Sequence, residues 1–77
     1  MKKFQIMLNS INDVKTFVNA TSLQGFDIDL ISGRYVIDAK SLMGIFSIDL
    51  SSPITVDVQG SDDEAAKFYE DVKKFVV

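Results

Sequence analysis

Apolar and polar positions change period several times along the chain, and each change marks an element. Phe4, Ile6 and Leu8 alternate with Lys3, Gln5 and Met7, the period of two expected of a half-buried strand. Asn9 and Ser10 break the alternation. Ser10 followed by Asp13 fits an S-x-x-D helix start, in which the serine hydroxyl takes an otherwise unpaired backbone N–H. Ile11, Val14, Phe17, Val18 and Thr21 then recur at helical spacing and predict an amphipathic helix over 11–21. Thr16 and Thr21 are poor helix formers, so packing must hold this element.

After Gly25, Phe26, Ile28 and Leu30 alternate with Asp27 and Asp29, a second strand with one acidic, wet face. Ser32-Gly33 signals a hairpin. Tyr35, Ile37 and Ala39 alternate with Val36 and Asp38 as a third strand. Lys40-Ser41 opens a short apolar segment, Leu42 to Phe46, with room for one or two helical turns around Gly44. A turn over 49–53 leads to a fourth strand, in which Ile54, Val56 and Val58 alternate with Thr55, Asp57 and Gln59. Ser61 and Glu64 form a capping box, and Asp62, Asp63 and Glu64 lie at the positive end of the helix dipole. Ala65, Phe68, Tyr69, Val72, Phe75 and Val76 follow on one stripe, with Lys73 and Lys74 in the last turn.

The order is therefore β-α-β-β-α-β-α. The outward strand positions carry Asp, Thr, Gln and Lys, so the sheet can bury only one face. The expected fold is α+β: an open-faced sandwich with a four-stranded antiparallel sheet covered on one face by helices, built as a single domain over 1–77.

Composition narrows the chemistry. With 77 residues, 47% of them hydrophobic, the chain is globular and short, so its core must be dense. It contains no cysteine, which excludes disulfides, thiolate metal sites and thiol nucleophiles. It contains no histidine, which removes the usual general base, the commonest metal ligand and a phosphohistidine carrier together. A net charge of −3 has the wrong sign for a nucleic-acid footprint. Lys2 and Lys3 precede an apolar stretch, but Gln5, Asn9 and Ser10 interrupt it, which reads as a mature cytoplasmic start. No run reaches the roughly 18 apolar residues of a membrane span. No cofactor, metal, membrane or nucleic-acid partner is expected.

Asp38-Ala39-Lys40-Ser41-Leu42-Met43-Gly44-Ile45 resembles the A-K-S-[LI]-[MF]-x-[LIV] segment around the regulatory serine of the HPr family, the phosphocarriers of the bacterial sugar phosphotransferase system. Phe17-Val18, Gly25-Phe26 and Gly60-Ser61-Asp62-Asp63-Glu64-Ala65 support the resemblance, which covers nearly the whole chain. HPr proteins carry G-x-H-x-R-P at the start of the first helix, where the histidine accepts phosphate. Anchoring on Phe17-Val18 puts that histidine position at Ser10, the arginine at Asn12 and the proline at Asp13. A serine without a neighbouring base cannot form the high-energy phosphoramidate that reversible transfer needs. Asp13 would repel phosphate where the family places a guanidinium.

The resemblance implies a divergent HPr acting as a regulatory or binding module, and not as an enzyme. A catabolite-repression paralogue within the family likewise lacks the acceptor histidine and keeps the regulatory serine. Two other functions stay open: a phosphocarrier with a non-histidine acceptor, and an interaction domain with no role in sugar transport. Ser10 reads as a helix cap or, less simply, a phospho-acceptor. Ser41 reads as a cap or as the target of an HPr kinase, with its hydroxyl exposed and Leu42 and Ile45 anchoring the segment. Leu42, Met43, Ile45, Phe46 and Ile48 either cover the sheet or meet partners. Lys40, Met43 and Phe46 are the expected partner surface, for a phosphotransferase-system enzyme, an HPr kinase or a transcriptional regulator. Asp27, Asp29, Asp38 and Asp57 alternate on strands and read as a solvated face, with a divalent-metal patch as the alternative. Tyr35 and Tyr69 follow the core periodicity.

Overall fold

The structure is a computed structural model and describes residues 2–77; Met1, at the head of the N-terminal stretch and of the expected domain, lies outside them. Four strands form one sheet: β1 (Lys3–Ile6), β2 (Ile28–Ser32), β3 (Tyr35–Asp38) and β4 (Ile54–Val58). Three helices connect or follow them: α1 (Ile11–Ser22), α2 (Leu42–Phe46) and α3 (Asp62–Asp71). The strand order is β1-β4-β2-β3 and every pairing is antiparallel. The last long strand thus inserts between the first two, and α1 crosses over from β1 to β2 in a split β-α-β arrangement. The α+β open-faced sandwich expected from the alternation is the observed fold.

The alternating apolar residues of the strands meet the helical stripes in one core. Ile6, Ile28, Leu30, Ile54 and Val56 are fully buried, with Val14 and Phe17 of α1 and Ala65 and Phe68 of α3 above them. Aromatic rings tie the layers together. Phe68 lies 6.1 Å from Phe17 and 6.4 Å from Phe4, and Phe17 lies 6.2 Å from Phe75. These centroid separations fall in the range where edge-on and tilted ring pairs are favourable.

The capping box at α3 forms as its residues require. Ser61 Oγ accepts the Glu64 N–H, and Glu64 Oε1 accepts the Ser61 N–H at 2.8 Å. Gly60 is needed beside it: a Cβ there would stand 2.9 Å from Glu64 Oε1 and 3.0 Å from the Phe26 ring.

Three expectations are corrected. First, α3 does not run to Val76. It ends at Asp71, Val72 caps it, and Lys73–Phe75 form a 3₁₀ turn, so Lys73 and Lys74 do not lie in the last turn of α3. Val72 and Phe75 stay buried across the break, whereas Val76 is extended and bridges to Ile6. Second, Tyr35 is 69% exposed because β3 is the sheet's edge strand and no helix covers that end. Third, Ile11 is 62% exposed, because the first residue of α1 overhangs the core that Val14 and Phe17 enter. Tyr69 is only half-buried and packs edge-on against Phe4 at 5.0 Å.

Candidate functional site

Ser10 and Ser41, the two serines with candidate chemistry, both stand just before a helix in extended backbone. An unpaired N–H in each first turn therefore points back at the side chain. Ser10 Oγ accepts the Asp13 N–H at 3.1 Å, and Asp13 Oδ2 in turn accepts the Asn9 N–H at 2.9 Å. The Ser10 hydroxyl is thus a structural cap with a carboxylate at the third helical position, and the chain contains no histidine to activate it. Neither Ser10 nor Asn12 supplies the imidazole or the guanidinium that handles phosphate in HPr proteins.

Ser10 lines a surface hollow of about 460 Å³ with Met7, Leu8, Asn9, Ile11, Phe46, Leu50 and Ser51. The structure therefore brings the start of α1 and the end of α2 to one place. Phe46, 42% exposed, and Ile11 are apolar residues of the hollow's lining. Beside them Asp49 accepts hydrogen bonds from the Ser51 hydroxyl and the Ser51 N–H, which together hold its carboxyl below the usual range. Ile11 stood out only as part of the α1 stripe, and Leu50 and Ser51 did not stand out in the sequence, because a hollow between separate segments leaves no local period.

Ser41 and Lys40 lie at the other end of α2, away from the lining of that hollow. Ser41 Oγ accepts the Gly44 N–H at 3.1 Å. A Cβ on Gly44 would stand 3.1 Å from Ser41 Oγ, so a larger residue there would have to displace the serine side chain slightly. Ser41 is half-buried instead of openly exposed. Its segment is anchored by Ile45, which is fully buried, and not by Leu42, which is 36% exposed.

The turn before Ser41 is tied down from several directions. Lys40 Nζ donates to the Gln24 carbonyl at 3.0 Å, so Lys40 is half-buried against the end of α1. Thr21 Oγ1, buried, lies within hydrogen-bond distance of the Val18 and Ala39 carbonyls. That explains a threonine inside α1: its single hydroxyl proton has a carbonyl acceptor in the preceding turn and another in the loop. Met43, by contrast, is 81% exposed.

The acidic residues lie on the open face of the sheet. Asp57 is paired with Asp29, and Asp29 with Asp38, in one row across β4, β2 and β3. Among the described residues no group of His, Cys, Asp or Glu has the geometry to hold a metal ion, and no helix is long and apolar enough to cross a membrane.

Neither a protein-family model nor a curated protein sequence matches the chain. Solved structures do. A structure described as HPr-C-His from Thermoanaerobacter tengcongensis superposes with a TM-score of 0.77 at 26% identity, over 96% of this chain and 92% of that one. The phosphocarrier protein HPr of Bacillus anthracis superposes with a TM-score of 0.71 at 25% identity, over 97% and 95% of the two chains. The chain has the HPr fold. A mycoplasma histidine-containing phosphocarrier protein gives a TM-score of 0.74 at 19% identity, over 94% of this chain and 88% of that one, and supports the fold alone. The HPr resemblance read from the Asp38–Ile45 segment thus agrees with the architecture of the whole chain.

Proposed function

We propose that this HPr-like chain acts as a regulatory or binding module of the phosphotransferase-system type, and not as a histidine phosphocarrier or an enzyme. One observation carries the reading. The chain contains no histidine, and Ser10, the position that the sequence resemblance matches to the family's acceptor, has its hydroxyl closing the first turn of α1 beside Asp13. A serine with no base to activate it and a carboxylate at the third helical position is a poor phosphate acceptor, and a phosphoserine would not pass its phosphate on reversibly.

The contact surface in this reading is α2 and its surroundings, with Met43 and Phe46 as apolar contacts and Lys40 as a charged neighbour. Exposed Met43 suits an adaptable interface, since its thioether side chain has many low-energy shapes. Its partners are proteins: a phosphotransferase enzyme, a kinase or a transcriptional regulator. Ser41 is the proposed regulatory phosphorylation site, where added charge would alter this surface without unfolding it. The test of the carrier function is incubation with 32P-phosphoenolpyruvate and the general phosphotransferase enzyme, with a histidine-bearing HPr as the positive control. The expected result is label on the control and none on this chain; stoichiometric label on this chain overturns the proposal.

A further inference from the structure

The two edges of the sheet are finished differently. On β1, Ile6 bridges to Val76, the Met7 N–H donates to the Phe75 carbonyl and the Val77 N–H donates to the Gln5 carbonyl, so the C-terminal residues cover that edge. On β3 no described segment does so, and Tyr35 and Val36 are 69% and 62% exposed. Open edges without proline, lysine or a covering segment are templates for another strand.

The phase of the β2–β3 hairpin settles which main-chain groups face outward. Ser32 pairs with Tyr35 across a two-residue loop, with Gly33 at φ 60 in its first position, the geometry of a type II′ turn. The closing pair of such a loop is hydrogen-bonded, and bonded pairs then alternate along the ladder. The Ala39 N–H bond to the Ile28 carbonyl, 2.8 Å, fits the same phase. Tyr35 and Ile37 therefore turn their backbone groups toward β2, while the Arg34 carbonyl, both Val36 groups and the Asp38 N–H face outward; the Asp38 carbonyl accepts the Ser41 N–H at 3.0 Å.

The segment Arg34-Tyr35-Val36-Ile37-Asp38 is complementary to itself when reversed. We propose that β3 pairs antiparallel with β3 of a second copy of this chain, about a two-fold axis at Val36, giving a weak dimer with one continuous eight-stranded sheet. In that register the two Val36 residues exchange both backbone hydrogen bonds. Each Asp38 N–H meets an Arg34 carbonyl of the other copy. Tyr35 of one copy lies opposite Ile37 of the other on the helix-covered face, an aromatic–β-branched pair of the favourable kind.

Charge argues for this occupant over another. Asp38 lies opposite Asp29, and Asp29 opposite Asp57, so like charges face each other along the open face. At the β1 end the row terminates on Lys3, paired with Asp57. At the β3 end it has no cation, while the ion pairs among the described residues, Lys2–Asp62 and Lys73–Glu70, leave Arg34 unused. The second copy puts Arg34 against Asp38 twice and closes the row at both of its new ends.

The experiment is sedimentation equilibrium of the full chain between about 10 μM and about 1 mM, a range that brackets the weak association expected of a short strand pair. Wild type is expected to move from monomer toward dimer across that range, more weakly as salt rises. Arg34→Asp and Asp38→Arg, each alone, set like charges against each other and should weaken dimerisation at least about tenfold. Mixed together they should form a heterodimer, because one charged pair then keeps its native polarity and the other is restored in reversed polarity. Circular dichroism of each variant checks that the fold is kept, and the backbone amide shifts of Arg34, Val36 and Asp38 should be the ones that move with concentration. A wild type that stays monomeric at the highest concentration, or an equimolar mixture no more associated than the single variants, overturns the proposal.

Discussion

Ser10 and Ser41 are two caps of the same geometry in different electrostatic settings. Each hydroxyl accepts an N–H three residues on at 3.1 Å. At α1 that third residue is Asp13, whose carboxylate also accepts the Asn9 N–H. At α2 it is Gly44, and the first turn of that helix contains no acid. The nearby Asp38 carboxylate is engaged by the Lys40 N–H. A phosphate on Ser10 would face a like charge in its own turn; a phosphate on Ser41 would not. The cap hydrogen bond therefore says little about which serine takes a phosphate, and the residue at the third helical position says much.

The comparison depends on both helices being held by one core, so its largest break is removal of that core. Phe68 sits between Phe4 and Phe17 with no exposed surface. Phe68→Ala should cost roughly 3–5 kcal/mol in chemical denaturation, a large part of the stability of so small a domain. A loss below about 1 kcal/mol would show that α3 does not close the core as described.

A smaller effect separates the caps themselves. Aspartate is a good N-cap, so Ser41→Asp should leave stability within about 0.5 kcal/mol of wild type. Ser10→Asp sets a second carboxylate beside Asp13 and should be less stable than Ser41→Asp by about 0.5 kcal/mol at neutral pH and low salt. The gap should close in high salt, where exposed charges are screened. Equal stabilities of the two variants at low salt would remove the distinction between the caps.

The smallest effect concerns the hollow beside Ser10. The Ser51 hydroxyl first, and then the Ser51 N–H, lower the pKa of Asp49 in the folded chain. A lowered folded pKa means stability that is present above the unfolded value, about 3.9, and is lost as pH falls through the folded one. Ser51→Ala should raise the Asp49 carboxyl titration toward the ordinary range when followed by NMR. An unmoved titration would mean that the Ser51 hydroxyl does not hold this carboxylate.

How much of this was legible in the sequence depends on whether the determining contacts are local. The strands showed themselves through alternation, because one face of each is wet, and Ser61 with Glu64 marked the start of α3 because a capping box is a local device. The end of α3 was hidden: Val72, Phe75 and Val76 keep a helical spacing that a 3₁₀ turn followed by an extended residue satisfies as well. Tyr35 alternates like a core residue, but its exposure follows from the strand order, which no single strand encodes. The caps at Ser10 and Ser41 were readable for the same local reason as Ser61. Their surroundings were not: Lys40 reaches Gln24, Thr21 meets Ala39, and the hollow joins Ile11 to Phe46 and Ser51, all through contacts between segments distant in sequence.

The most direct test of the distinction between the two serines is intact-mass measurement after incubation with an HPr kinase and ATP, using wild type, Ser10→Ala and Ser41→Ala. The account predicts one added phosphate on wild type and on Ser10→Ala, and none on Ser41→Ala. No phosphate on wild type, or a phosphate that persists in Ser41→Ala and disappears in Ser10→Ala, would contradict it.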